Sequence, residues 1–213
     1  MGGALIRPHD LVEPERIDAI VGDGPLPAWV PESLAAAPLV VVRRVPISGG
    51  RLPIGVRGVG RERRFAGWLD EKCVRRVVRP QDLTARAAWR TAPRAAELPH
   101  FTILAAIDVL MVEAGLPWGP TGSAGFELAS GKPTMTAASD IDLLICPHAP
   151  PTPQNIARLH DALGAFPVRI DGQMALTSGW VALAEFARAP RRIALRTLTG
   201  VELIENPWKD QRR

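Results

Sequence analysis

An α+β fold is expected, with a mixed sheet and packed helices in the C-terminal half and a smaller, basic α/β domain before it. Three observations point there. Short apolar runs punctuated by glycine and proline recur along the chain. From Pro99 onward the patterns run helix, strand, strand, helix, strand. The charge is uneven as well: residues 1–93 carry 15 basic and 10 acidic side chains, residues 94–213 carry 11 and 12. The domains are accordingly drawn at 1–93 and 94–213.

The first 35 or so residues read as irregular, because Pro8, Pro14, Pro25, Pro27 and Pro31 interrupt any long element. The apolar, β-branched run 39–42 predicts a strand. Residues 52–56 predict a second, beyond the Ser48-Gly49-Gly50 turn, and 72–78 a third. Asp82 is placed to cap a helix ending near Arg90, ahead of Pro93. Residues 101–113 are apolar on nearly every side, which predicts a buried helix closed by Gly115 and Pro117. A turn-rich approach over 118–123 leads to a short strand through Phe126 and Leu128. Residues 139–145 predict a strand with acids at its start, and 152–165 a helix opened by Thr152 or Pro153. Residues 168–170 predict a strand with Asp171 at its end, and 179–189 a last helix. The runs 193–197 and 201–204 form a hairpin around Thr199-Gly200.

A chain of 213 residues with 46% hydrophobic side chains can bury a core of ordinary size. Its apolar runs stay well short of the roughly 20 residues needed to cross a bilayer, so no membrane association is expected. Met1-Gly2-Gly3-Ala4-Leu5-Ile6 has no basic start followed by an apolar stretch, and Ile6 breaks the myristoylation pattern. The expected location is the cytoplasm. Cys73 and Cys146 are far apart in unlike surroundings, which argues against a disulfide framework or a cysteine metal site. Cys146 ends an apolar run and reads as a small core residue. Arg43, Arg44, Arg51, Arg57, Arg61, Arg63 and Arg64 are opposed locally only by Glu62. Such a patch either attracts phosphates or an acidic partner, or is simply a solvated arginine-rich surface.

Chemistry concentrates at three carboxylates. On a strand, residues two apart face the same side, so Asp140 and Asp142 aim together while Ile141 and Leu143 face the core. An isolated Asp-x-Asp is usually a solvated strand edge. Here an apolar run follows the pair and a Gly-Ser turn precedes it. Two like charges held so close call for a neutralising group, and Mg²⁺ favours carboxylate oxygens together with substrate phosphates. Asp171 is either a third ligand or a turn residue before Gly172. Three such acids can hold two cations and clamp an in-line displacement at phosphorus. Gly122 permits close backbone approach to a phosphate, and its N–H and the Ser123 hydroxyl can donate to phosphate oxygens. Lys132 is either a phosphate contact or an exposed loop lysine. His9 next to Asp10 reads as a local turn or cap contact ahead of a catalytic pair, and Trp118 as a core residue ahead of an adenine-stacking one.

Gly122-Ser123, Asp140-Ile141-Asp142 and Asp171 resemble the active-site signature of nucleotidyltransferases related to DNA polymerase β. The interval from Ser123 to Asp140 is somewhat longer than usual, which an insertion around residues 129–133 would explain. A closer resemblance is to the malonate decarboxylase holo-acyl-carrier-protein synthases, or phosphoribosyl-dephospho-CoA transferases. It is carried by Trp118-Gly119-Pro120-Thr121-Gly122-Ser123-Ala124-Gly125-Phe126-Glu127-Leu128-Ala129-Ser130-Gly131 and Ser139-Asp140-Ile141-Asp142-Leu143. Arg7-Pro8-His9-Asp10-Leu11 is similar to the opening motif of that family, and Ile54-Gly55-Val56-Arg57-Gly58 to its middle segment. Ile170-Asp171-Gly172-Gln173, Ala182-Leu183-Ala184-Glu185 and Leu195-Arg196-Thr197 are similar to its C-terminal part.

The resemblance implies a nucleotidyltransferase-like catalytic domain. It implies 2′-(5″-triphosphoribosyl)-3′-dephospho-CoA as donor, a serine on the apo acyl carrier subunit of malonate decarboxylase as acceptor, and pyrophosphate as leaving group. Asp140, Asp142 and Asp171 would bind Mg²⁺, and Gly122, Ser123 and Lys132 would bind phosphate. Arg57 and Arg61 would contact the donor or an acidic carrier helix. One rival is another nucleotidyltransferase acting with a nucleoside triphosphate. A second is a nucleic-acid-binding protein, suggested by a sequence pI near 9.8. That rival leaves the paired acids unexplained and lacks an aromatic-interleaved RNA motif or zinc-finger spacing, so no nucleic-acid partner is expected.

Overall fold

The computed structural model describes residues 5–60 and 63–205. The chain divides into two compact units, Met1–Arg79 and Pro80–Arg213. The division thus falls earlier than residue 93.

The first unit contains β1 (Leu11–Pro14), β2 (Ile20–Val21), α1 (Trp29–Ala36), β3 (Val40–Val42), β4 (Arg51–Arg57), β5 (Arg64–Asp70) and β6 (Val74–Val78). The strands form one sheet in the order β2-β5-β4-β3-β1-β6, with every neighbour antiparallel. Alternation explains the core: Val40 and Val42, Leu52, Ile54 and Val56, and Leu69 all turn inward, and Val30 and Leu34 of α1 close over them. The strands expected at 39–42, 52–56 and 72–78 are β3, β4 and β6. The N-terminal stretch is not irregular, however. Pro31 is the third residue of α1, where its missing N–H has no helical partner to lose, and Pro14 ends β1 at a register shift. β5 carries no clear strand pattern of its own, because Arg64 and Gly67 break its alternation.

His9 has φ +76°, in the left-handed region. Its N–H donates to the Val42 carbonyl at 3.0 Å, and Asp10 Oδ2 accepts from the Arg7 N–H at 2.9 Å. His9 and Asp10 therefore build the turn that leads into β1, the local role expected of them. Burial, reinforced by the Arg44 charge, lowers the His9 imidazole to about 4. The unfolded chain takes up this proton near pH 6.5 and the folded chain only near 4. The stability from keeping His9 neutral is therefore complete above about pH 6.5 and is lost as pH falls towards 4. The loss amounts to about 3 kcal/mol at 1.36 kcal/mol per pKa unit. Urea midpoints measured from pH 7.5 to 4.5 will fall steeply for the wild type and less for His9→Asn, a residue that tolerates positive φ. Parallel profiles would disprove the assignment.

The second unit contains α2 (Pro80–Ala85), α3 (Pro99–Glu113), β7 (Trp118–Pro120), α4 (Gly122–Ser130), β8 (Ile141–Ile145), α5 (Pro153–Gly164), β9 (Ile170–Leu176), β10 (Gly179–Ala182), α6 (Leu183–Ala187), β11 (Ile193–Arg196) and β12 (Val201–Ile204). Its sheet runs β12-β11-β10-β9-β8-β7. β8 and β9 are parallel, with α5 between them in the chain, and the other described pairs are antiparallel. The mixed sheet with packed helices is therefore present.

Several elements differ from expectation. The helix expected to run from Asp82 to Arg90 stops at Ala85. Ala87, at φ +46°, breaks it ahead of a 3₁₀ turn over Ala88–Arg90. Asp82 lies within its first turn instead of capping it. α2 packs on β7 so closely that a Cβ on Gly119 would strike the Pro80 carbonyl, which ties this helix to the second unit. The turn-rich segment 118–120 is a strand. The strand expected through Phe126 and Leu128 is α4, which ends at Gly131 with φ +70°, a left-handed glycine stop. Residues 179–182 are a strand preceding the short α6. In α3, Ile103, Leu104, Ile107 and Met111 are buried, but Val109 and Val112 are 57% and 73% exposed, so only one face is covered. Trp118 is a core residue, stacked on Trp89 with centroids 5.8 Å apart. Cys146 is only partly buried, and neither Cys73 nor Cys146 forms a disulfide. Among the described residues no helix is long and apolar enough to cross a membrane.

Candidate active site

Ile141, Leu143 and Ile145 are buried in the core, which turns Asp142 to the opposite face of β8. In the parallel pairing, Asp142 lies directly beside Asp171, with Ile141 beside Ile170 and Leu143 beside Gly172. Register neighbours in a parallel pair project to the same side, with strands about 4.8 Å apart. Asp171 is thus the second residue of β9, where the sequence suggested a strand end, and this brings it level with Asp142. Asp140 precedes β8 by one residue. The Ile141 N–H donates to the Arg169 carbonyl at 2.9 Å, locking the starts of the two strands together. Arg169 then reaches both remaining acids: Nη1 lies 3.8 Å from Asp140 Oδ2, and Nη2 lies 3.8 Å from Asp171 Oδ2.

Gly122 stands against this cluster. It opens the nine-residue α4 with φ +57°, and a Cβ there would collide with Asp142 Oδ2. The Thr121 N–H donates to the Asp142 carbonyl at 2.8 Å, which holds the mouth of the helix to β8. The N–H groups of the first turn have no helical acceptors, and the helix end carries partial positive charge; both favour phosphate oxygens. Ser123 follows, largely buried, with its carbonyl accepting from Thr134 Oγ1 at 2.9 Å.

Lys132 lies just beyond the C-terminal end of α4, whose nine residues put about 13 Å of helix between it and the Gly122 end at 1.5 Å per residue. Arg57 is at the end of β4 in the first unit, beside Arg64 in the register. Arg61 falls outside the described residues.

The structure also shows supports that were missed from the sequence. Glu127, 3% exposed, accepts from the N–H groups of Thr134 and Met135 at 2.7 and 2.8 Å and is ion-paired with Arg94 at 3.5 Å. It thereby pins the loop that leads to Asp140. His100, wholly buried, donates through Nε2 to the Ser139 carbonyl at 2.8 Å. A lone acid in an apolar stretch could have flagged Glu127. No local signal marks His100, whose partner Ser139 is 39 residues away, or the reach of Arg169 to Asp140 at the start of the neighbouring strand.

Among the described residues no three acidic, histidine or cysteine side chains are placed so that they could together hold a metal ion. In donor chemistry Asp140, Asp142 and Asp171 suit a hard divalent cation: each offers carboxylate oxygens, and the Arg169 guanidinium lies at ion-pair distance from two of them.

Comparison with known proteins adds to this geometry. Residues 7–80 match the family model described as the phosphoribosyl-dephospho-CoA transferase MdcG N-terminal domain, and residues 83–207 match the corresponding C-terminal domain. The chain belongs to the MdcG phosphoribosyl-dephospho-CoA transferase family. The two matched regions meet within a few residues of the division between the structural units. Proteins named phosphoribosyl-dephospho-CoA transferase resemble this family member along nearly their whole length. One from Azotobacter vinelandii is 36% identical, covering 97% of this chain and 96% of its own. One from Pseudomonas aeruginosa is 37% identical, covering 92% and 94%. One from Klebsiella pneumoniae is 35% identical, covering 96% and 97%. No solved structure matches. As a member of this family the chain is an enzyme, a transferase.

Proposed function

We propose that this transferase, acting in the cytoplasm, moves phosphoribosyl-dephospho-CoA from 2′-(5″-triphosphoribosyl)-3′-dephospho-CoA to a serine of the apo acyl carrier subunit of malonate decarboxylase, releasing pyrophosphate. The observation that carries the reading is the pairing of Asp142 with Asp171 in register, with the Gly122 backbone against the Asp142 carboxylate. Asp140, Asp142 and Asp171 would hold Mg²⁺, whose charge offsets that of the donor's triphosphate. Asp171 takes the proton from the acceptor serine. The serine oxygen bonds to the phosphorus attached to the ribose as the bond to the bridging oxygen breaks, and that oxygen departs with the pyrophosphate. The N–H groups of Gly122 and Ser123 donate to the departing oxygens, so catalysis rests on positioning and charge. Lys132 would reach phosphate only along the length of α4.

The first unit serves in this reading as the carrier- or donor-binding domain. Arg57, with Arg64 beside it in the register and Arg51 at the other end of β4, presents positive charge to an acidic carrier, and Arg61 extends the same sequence patch. Purified protein incubated with apo carrier subunit, donor and Mg²⁺ will raise the carrier's mass by one prosthetic group, and nucleoside triphosphates will not replace the donor. Carrier affinity will weaken steeply between about 50 and 300 mM salt. An unmodified carrier, or transfer from a nucleoside triphosphate, would sink the reading.

A further inference from the structure

Arg169 has no part in the chemistry described so far, yet it bridges two of the three site carboxylates. Its backbone is fixed, because its carbonyl accepts from Ile141 N–H at 2.9 Å and β9 begins at the next residue. Its side chain is 73% exposed, and the Asp140 and Asp171 side chains are each 46% exposed. At 3.8 Å the contacts are ion pairs and not hydrogen bonds. Exposed pairs of this kind are worth roughly 0–1 kcal/mol. They are strong enough to bias a long side chain and weak enough for a divalent cation to displace it. The guanidinium, once displaced, remains tethered at the rim of the site. Its planar donor fork suits phosphate oxygens.

We propose that Arg169 is an exchangeable counter-cation. In the free enzyme it neutralises Asp140 and Asp171. When a divalent cation takes that place, the guanidinium transfers to the polyphosphate of the donor. Arg169 is then both a competitor of the metal and a ligand of the second substrate. The inference rests on the proposed function only in taking Asp140, Asp142 and Asp171 as cation ligands.

The test uses the full chain, with Mn²⁺ as a paramagnetic probe and inorganic tripolyphosphate as the anion, both read by direct binding without turnover. Arg169→Gln is expected to bind Mn²⁺ about three- to tenfold more tightly than the wild type, because the competing charge is gone. With Mn²⁺ saturating, the same variant is expected to bind tripolyphosphate at least about tenfold more weakly. Arg169→Lys should recover part of both shifts. Arg158→Gln, which removes an equal charge from the surface of α5, should change neither. A merely structural role for Arg169 would weaken both affinities together. Opposite-signed shifts support the exchange, and any other combination overturns it. If neither wild type nor variant binds Mn²⁺, the metal-site reading falls and the inference falls with it. If the wild type binds Mn²⁺ and the variant binds it no more tightly, the inference alone fails.

Discussion

Replacing Asp142 with Asn will lower the transfer rate at least about a thousandfold while the protein remains folded. The substitution preserves shape, and the neighbours that secure β8, Ile141 and Leu143, point into the core on the opposite face. What changes is one negative charge at the centre of the acidic row, between Asp140 along the chain and Asp171 across the sheet. A thousandfold loss corresponds to about 4 kcal/mol of transition-state stabilisation at 1.36 kcal/mol per factor of ten. That is a reasonable share for a group that helps to neutralise a polyphosphate in a displacement at phosphorus. Stability is expected to stay level or to rise slightly, since one of two adjacent like charges disappears. Carrier mass under single-turnover conditions and a thermal melt provide the two readouts. Near-normal transfer by the variant would remove Asp142 from the mechanism, and a molten variant would reassign it to the fold.

The second large effect is expected at Gly122. Alanine there must adopt φ near +57°, which costs of the order of 1–3 kcal/mol, and its Cβ runs into Asp142 Oδ2. The collision can be relieved only by shifting the carboxylate or the mouth of α4, and both belong to the proposed site. Activity should fall about a hundredfold or more, beyond what the stability change explains, since a displacement near 1 Å can cost that much. Gly131→Ala is the matched control. That residue has φ +70° at the other end of the same helix, with open space where the Cβ would go. It should lose about 1 kcal/mol of stability, read from denaturant midpoints, and keep its transfer rate. Equal activity losses in the two variants would show that backbone strain, and not contact with Asp142, makes Gly122 indispensable.

The strands β3, β4, β6, β8, β11 and β12 and the helices α3 and α5 could be read along the chain, because each carries its own apolar period or a local boundary such as the Thr152 cap. α4 could not. Gly122, Gly125 and Phe126 within nine residues suggest a turn and a strand, and helix is favoured only once Gly125 lies beneath the Pro120 carbonyl. β1, β5 and α1 were hidden by prolines and arginines whose effect depends on where in the element they fall.

By itself the sequence singled out the residues of the candidate site: a glycine and serine opening one element, two acids spaced to share a strand face, and a third acid downstream. Those are matters of residue type and of a period of two, and both are local. Tertiary structure alone decided that Asp171 stands level with Asp142, that Arg169 spans Asp140 and Asp171, and that Glu127 and His100 hold the approach to Asp140. Strand register and buried polar pairing join residues far apart in the chain, and their energies depend on neighbours that no local pattern can name.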